Sequence, residues 1–279
     1  DGLFTFNTIW RFQFEFSKNF NKEPVANWIE SEETFLDKTV KLDGEEFKGS
    51  ASYIRLSRDT EHWNTNIFYK GISPGFRADV GFVPRINRRL VSIYHGYEAF
   101  YDKKYLKEFS TSLRGDISYN YDNKLKAKNF DFNISIKTFE KIEIAYVYEY
   151  NLIRNYLNVD FKNYGMSGLG IIGFPTENLT FLFEGRIGKE IAFNEDVPKI
   201  GRQENIFLSL SYKVGNNINL NSSINYSRLE NLDNKKAIYD GYISRLSLRY
   251  QFNNDLSLRL VSEYNKFNDT FLFQPLLKW

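Results

Sequence analysis

The stretch that decides the fold is Asp240 to Asn265, DGYISRLSLRYQFNNDLSLRLVSEYN. On both sides of the polar run at 253–255, apolar and aromatic residues alternate with polar and charged ones. Tyr242 and Leu246, for example, fall on one side of an extended chain, and Arg245 falls on the other. A period of two that is broken by a tight polar turn predicts two antiparallel strands, with one apolar face and one charged face.

The same alternation recurs along the chain. It is clear at 8–18, 109–121, 130–137, 142–150, 179–187, 206–214 and 218–227, and weaker at 47–56, 63–71 and 90–100. With the glycine-rich segment 164–174 and the last residues 271–279, the pattern predicts about 14 strands of the length that crosses a membrane when tilted.

The connections between these segments also alternate. Short turns are predicted near 138–139, 175–178, 215–217 and 253–255, and longer links at 152–163, 193–202 and 229–239. Two long loops are predicted at 19–46, with room for a short helix at 25–35, and at 73–89. Short turns at one end of a sheet and longer loops at the other are typical of outer-membrane barrels.

Composition excludes several classes of protein. No run approaches the roughly 18 apolar residues of a transmembrane helix. The chain has no cysteine, which excludes a disulfide scaffold and a cysteine-based metal site. Its formal net charge of +2 gives no global field that would attract nucleic acid.

Two all-β folds fit the alternation. In a soluble sandwich the apolar face would be the core, whereas in a membrane barrel it would face lipid and the polar face would line a wet lumen. Tyr and Trp near the segment ends, as at Trp10, Tyr226 and Trp279, fit interfacial girdles. We therefore predict a single all-β domain over residues 1–279, a transmembrane antiparallel up-and-down β-barrel in the outer membrane of a Gram-negative bacterium.

Charged residues on the polar face are the candidate functional residues, because inside a barrel they would set ion and solute selectivity. They could also form salt-bridge ladders that fill the lumen. The residues predicted to line the pore are Arg11, Glu15, Arg114, Asp116, Lys137, Glu143, Glu149, Glu184, Arg186, Lys213, Arg245, Arg249, Arg259 and Glu263.

The sequence offers no convincing catalytic or metal site, and no cofactor is predicted. His62 and His95 are the only histidines, and although Ser92 and Glu98 are near His95, the spacing matches no lipase motif. A structural histidine is the simpler interpretation. The acidic stretch 30–46 lacks the spacing of a calcium-binding loop, so a solvated loop is the simpler interpretation there.

Three short motifs carry a family resemblance: GFVPR at 81–85, GYI-x-R at 241–245, and YQF at 250–252 followed by LSLR at 256–259. With them, the chain resembles the C-terminal barrel of outer-membrane proteins that carry an N-terminal carbohydrate-binding family 9-like domain. No catalytic motif of that family carries over. The family's barrel continues past the position of Trp279 by another hairpin, so the resemblance implies 16 strands if this chain is part of a longer one.

Three functions are compatible with these observations. The first is a passive channel or uptake component for small solutes, which the resemblance suggests are glycan-derived. The second is a structural anchor or accessory subunit with a closed lumen, and the least favoured is an outer-membrane hydrolase. The expected partners are the lipid bilayer and lipopolysaccharide, together with another outer-membrane protein or the N-terminal domain that the resemblance implies, and no nucleic acid.

Overall fold

A computed structural model describes residues 1–28, 34–35, 38–39, 41–77, 83, 85–103, 105–138, 141–193 and 197–279. The described residues form strands β1 (Gly2–Phe6), β2 (Trp10–Lys22), β3 (Val25–Ala26), β4 (Thr34–Phe35), β5 (Lys38–Thr39), β6 (Leu42–Asp43), β7 (Glu46–Asp59), β8 (Trp63–Ile72), β9 (Arg88–Lys103), β10 (Leu106–Tyr119), β11 (Leu125–Lys137), β12 (Ile142–Tyr156), β13 (Val159–Thr176), β14 (Leu179–Ile191), β15 (Ile200–Val214), β16 (Ile218–Asn231), β17 (Ala237–Gln251), β18 (Ser257–Asn265) and β19 (Thr270–Lys278). Over these residues we find no helix long and apolar enough to span a membrane.

One sheet of 15 strands contains all but the four shortest strands, and its order follows the chain from β1 and β2 through β7 to β19. The remaining strands form two-stranded sheets, β3 with β6 and β4 with β5. The prediction of an all-β, antiparallel, up-and-down fold is confirmed. The count rises from about 14 to 15 because Gly2–Phe6 pairs with β2, a hairpin that the alternation did not reveal.

The hairpin at 240–265 forms as predicted. Tyr250 lies opposite Leu258, and Arg245 lies opposite Glu263, so the two faces are kept across β17 and β18. The turn is closed by the side chain of Asn253, whose Oδ1 accepts hydrogen bonds from the backbone N–H groups of Asp255 and Leu256 at 2.9 and 2.8 Å. A short polar side chain that replaces a backbone acceptor is a common way to stabilise a tight turn.

Two predicted connections are wrong. The link expected at 152–163 is a two-residue turn, because β12 continues to Tyr156 and β13 begins at Val159. Leu157 and Asn158 both have positive φ, at 47° and 62°, which is the backbone shape that matches the twist of a hairpin. The short helix expected at 25–35 is also not found in the described residues, which form β3, a bend at 27–28 and β4, while 29–33 fall outside the described residues.

The links still differ between the two ends of the sheet. At one end, which we call the turn end, five residues or fewer join β1 to β2, β7 to β8, β9 to β10, β11 to β12, β13 to β14, β15 to β16 and β17 to β18. At the other end, which we call the loop end, the chain passes from β2 to β7, β8 to β9, β10 to β11, β12 to β13, β14 to β15, β16 to β17 and β18 to β19. Four of the latter are short, so the asymmetry comes mainly from three longer links.

The chain divides into two compact units. The first comprises residues 1–96, 114–130 and 153–160, and its buried apolar side chains include Phe47, Ile72 and Leu90. The second comprises 97–113, 131–152 and 161–279, and its buried side chains include Tyr164 and Leu229.

Candidate functional site

Strands β14 to β19 of the second unit have two chemically distinct faces. Cross-strand registers place Phe183, Leu208, Ile224, Ser244 and Tyr264 in one row, and parallel rows repeat this mostly apolar character along the strands. We call this side the apolar face and the opposite side the polar face. The apolar face comprises Phe181, Phe183, Ile206, Leu208, Leu210, Tyr212, Val214, Ile218, Leu220, Ile224, Tyr226, Tyr242, Leu246, Leu248, Tyr250, Leu258, Leu260, Tyr264, Phe271, Phe273 and Leu277, with Ser222, Ser244 and Ser262 among them.

In β15 the apolar side chains are more exposed than most of the residues that alternate with them, which is the reverse of a protein with an apolar core. In β15 the apolar residues from Ile206 to Val214 are each between 40% and 45% exposed, whereas the intervening Phe207, Ser209 and Ser211 are more covered. The polar side of β15 is therefore more covered than the apolar side between Ile206 and Tyr212, whereas Lys213, nearer the turn, is exposed.

Charged residues close the apolar face at the loop end. Beyond the row of Ile206, Tyr226 and Tyr242, the same face carries Glu204 opposite Arg228. The set of residues in this border is Arg202, Glu204, Arg228, Glu230 and Asp240, which we call the ionic border. Arg202 contacts Glu204 at 3.0 Å and Arg228 contacts Glu230 at 3.0 Å, so the apolar character ends sharply at one level of the sheet.

Seven of the predicted pore-lining residues share the polar face of β14 to β18. They are Glu184, Arg186, Lys213, Arg245, Arg249, Arg259 and Glu263. Arg245 Nη1 lies 3.5 Å from Glu263 Oε2 across the β17–β18 pair. The face is not wholly polar, since Phe207 and Ile243 also lie on it, and Val261 there is only 3% exposed.

An ion pair that reaches over an intervening strand includes a further predicted pore-lining residue, Glu149. Arg186 Nη1 of β14 lies 3.3 Å from Glu149 Oε1 of β12, so the side chain passes over β13. Gly168 lies opposite Arg186 in the register, and a Cβ there would be only 3.2 Å from Arg186 Cγ. The absence of a side chain at Gly168 therefore leaves room for the arginine to reach across the strand.

Lys137 joins two acids, of which only one was predicted. Its Nζ lies 2.9 Å from Glu108 Oε1 and 3.9 Å from Glu143 Oε2. Glu108 was missed because the alternation in β10 was recognised only from residue 109. All three residues belong to the second unit.

The four remaining predicted residues belong to the first unit. Arg114 Nε pairs with Asp116 Oδ1 at 3.1 Å along β10. Arg11 and Glu15 share one side of β2, opposite Ser57 and Tyr53, while Phe12, Phe14 and Phe16 take the other side. The structure thus places these residues on polar strand faces, and their role in lining a pore stays a prediction.

A buried polar network near the loop end was missed by the sequence. Gln203 Nε2 donates to Asn205 Oδ1 at 2.7 Å and to Ser227 Oγ at 3.1 Å, and Tyr239 Oη donates to Gln203 Oε1 at 2.9 Å. Gln203 is 5% exposed. Because each of these groups finds a partner, the network can fix the spacing of β15, β16 and β17 without an unsatisfied buried group.

The histidine and acidic sites considered from sequence have structural explanations. His95 stacks on Trp63 with a centroid distance of 5.0 Å, and its Nδ1 lies 2.9 Å from Thr65 Oγ1. Ser92 lies an odd number of residues away on the same strand, so it points to the opposite face and cannot pair with His95 as nucleophile and base.

Three carboxylates, of Glu23, Asp43 and Glu45, have oxygens within 4.8 Å of one another. Arg77 donates to Glu23 at 2.9 Å, and Thr39 donates from its hydroxyl to Asp43 at 2.8 Å and from its backbone N–H to Glu45 at 3.0 Å. These donors account for the cluster. The predicted loop acids at 30, 32, 33 and 37 fall outside the described residues.

Comparison with known proteins gives only distant likenesses. No protein-family model and no curated protein matches the chain. Among solved structures, Salmonella typhi OmpF in complex with daunomycin aligns over 95% of this chain and 93% of its own, with 10% identity and a TM-score of 0.42. The outer-membrane channel DcaP of Acinetobacter baumannii aligns over 98% and 97%, with 7% identity and a TM-score of 0.41. A likeness at this level says nothing about what the chain transports or binds.

Proposed function

We propose that the chain forms an outer-membrane β-barrel channel that passes small solutes without catalysis. The observation that carries the proposal is the inverted exposure of the middle of β15, in which Ile206, Leu208 and Leu210 are more exposed than the alternating residues Phe207, Ser209 and Ser211. In water, a broad apolar surface of this kind would drive association. In a bilayer the same surface is solvated by acyl chains, and the enclosed polar side is left for water.

The dimensions of the apolar face support a membrane setting. Ile206 and Val214 are its limits in β15, which at about 3.3 Å per residue makes about 26 Å along the strand. A strand tilt of about 40° reduces this to about 20 Å along the membrane normal. Tyr226 lies opposite Ile206, and Tyr250 lies opposite Ile218, the partner of Val214, so tyrosines mark both limits of the band. The apolar band of outer-membrane barrels is roughly 25 Å tall.

The polar face supports a water-filled lumen. Charges such as Arg245 and Arg249 would each be unfavourable by about 2 to 4 kcal/mol at the bilayer midplane, so they are expected to face water. Some, such as Arg245 with Glu263, are paired across strands. Such pairs hold charge at a fixed position along the lumen, where it can discriminate between ions.

The finer parts of the proposal rest on the sequence resemblance. It suggests glycan-derived solutes, a Gram-negative outer membrane with lipopolysaccharide as the surrounding lipid, and an N-terminal carbohydrate-binding domain or another outer-membrane protein as partner. The further hairpin that the resemblance implies would add two strands to the 15 of this sheet, giving 17 in place of 16. In the described part of the chain, β1 pairs only with β2 and β19 only with β18.

Membrane insertion is tested first, by electrophoresis of the detergent-folded protein with and without boiling. We expect the unboiled protein to migrate at a different apparent mass, because a folded barrel resists unfolding by the detergent. A chain that stays monomeric and soluble without detergent would contradict the proposal.

Conductance is tested next, in planar bilayers. Discrete current steps from the purified, inserted protein are expected of an open channel. Insertion without any steps would reject the channel and leave the alternative of a closed structural anchor, for which co-purification of a stable partner is the check.

A further inference from the structure

Three cations lie side by side on the polar face near the turn end. The registers place Lys213 of β15 opposite Asn219 of β16, Asn219 opposite Arg249 of β17, and Arg249 opposite Arg259 of β18. We call Lys213, Arg249 and Arg259 the cationic row. Adjacent strands lie about 4.8 Å apart, so the row spans about 14 Å, with the two arginines on neighbouring strands.

The row has no acidic partner in the part of the chain that the structure describes. Among the ion pairs of the described residues, none includes Lys213, Arg249 or Arg259. Glu263 is the acid on the same face of β18, and it is paired with Arg245.

Like charges directly opposite each other on paired strands are unfavourable. Arg249 and Arg259 are such a like-charged pair. An acid at either of the two positions would instead have given an ion pair of the kind that Arg245 forms with Glu263. Lys278, farther toward the turn end on β19, adds a fourth cation to the same face, since it lies opposite Ser257. The polar face therefore has a concentrated positive charge at one end.

The geometry points to a binding site for anionic solutes. We propose that the cationic row binds solutes that carry two or more phosphate or carboxylate groups, and that it makes the channel selective for anions at its turn end. Arginine guanidinium groups bind both kinds of oxyanion in bidentate fashion, and lysine adds a point charge. The spacing, about 5 Å between the arginines and about 10 Å from Arg249 to Lys213, fits two anionic groups on one solute rather than a single small ion.

This inference rests on the proposed channel, and the test separates the two. The reversal potential is measured across planar bilayers in a KCl gradient for the wild type and for the triple variant Lys213→Gln, Arg249→Gln, Arg259→Gln. The matched control removes three cations from the apolar side of the sheet, with Lys189→Gln, Arg202→Gln and Arg228→Gln. Heat-modifiable migration on gels confirms that each variant is folded.

We expect the wild type to be more permeable to Cl⁻ than to K⁺. The triple variant should lower the Cl⁻ to K⁺ permeability ratio by about threefold or more, and the control variant should leave this ratio unchanged. Current steps without anion preference, or a preference that the triple variant retains, would overturn the cationic row and leave the channel in place. An equal loss in the control variant would also overturn it, because the effect would then be one of overall charge.

A binding measurement decides the case in which no current is seen. Pyrophosphate and citrate, as phosphate and carboxylate probes, are titrated calorimetrically into the detergent-folded protein. Binding of either probe that weakens by on the order of tenfold in the triple variant and not in the control supports the site even if the lumen is closed. If neither probe binds the wild type, the site is rejected whatever the conductance.

Discussion

Leu210→Arg is the substitution that tests most directly which face of the sheet meets lipid. Leu210 lies midway between Ile206 and Val214, about 13 Å along the strand from each border of the apolar face. Its side chain is 42% exposed. In a bilayer this position is near the midplane, where an arginine on the lipid face destabilises a barrel by about 2 to 4 kcal/mol. In a soluble protein, a surface position of this exposure would tolerate the change to within about 0.5 kcal/mol.

Ser209→Arg is the matched control, because it introduces the same side chain one residue away on the polar face. There the added charge would face water, and we expect a change of less than about 1 kcal/mol. Both variants are unfolded with urea from phospholipid vesicles, and the transition is followed by the fluorescence of the four tryptophans. A Leu210→Arg variant as stable as the wild type, or a Ser209→Arg variant that is equally destabilised, would refute the assignment of the two faces.

Three other predictions follow from individual contacts. Arg249→Gln should stabilise the fold by about 0.5 to 1 kcal/mol at low salt by relieving repulsion from the opposing arginine of β18, and urea unfolding should show the gain disappearing at high salt. Gly165→Ala should destabilise by about 1 to 3 kcal/mol, because its Cβ would overlap the Glu149 carbonyl oxygen, whereas Gly115→Ala, with nothing within 4 Å, should not. Hydrogen bonds from a tyrosine and a lysine lower the pKa of Asp269. Its stabilising contribution should therefore be fully present above the ordinary carboxyl pKa, and it should be lost as the pH falls through the lowered pKa of the folded protein. Asp269→Asn should remove this pH dependence from the free energy of unfolding.

The strands and their faces could be predicted from the sequence because they depend on local geometry. Successive side chains in an extended chain point to opposite sides, so a period of two in Asp240 to Asn265 sufficed to assign Arg245 and Arg249 to one face. The turn at Asn253 was equally local, since its side chain bonds the backbone within three residues.

Strand ends were less predictable than strand centres. β1 was missed because Gly2–Phe6 is short and mostly apolar, so that it shows little alternation. The turn at 157–158 was hidden because Leu157 gives no turn signal, although its φ is positive. A hairpin with such a residue at its tip is recognisable only once the flanking strands are seen to pair.

The sequence by itself determined an all-β chain with a charged face and an apolar face on each strand. Only the tertiary structure decided which charges are neighbours. Arg186 reaches Glu149 over Gly168, Arg245 meets Glu263, and Lys213 shares a row with Arg249, although these residues are far apart in the chain. The physical reason is that alternation fixes the side to which a residue points, whereas the register between strands fixes its partners. That register is set by turn lengths and by packing across the whole sheet.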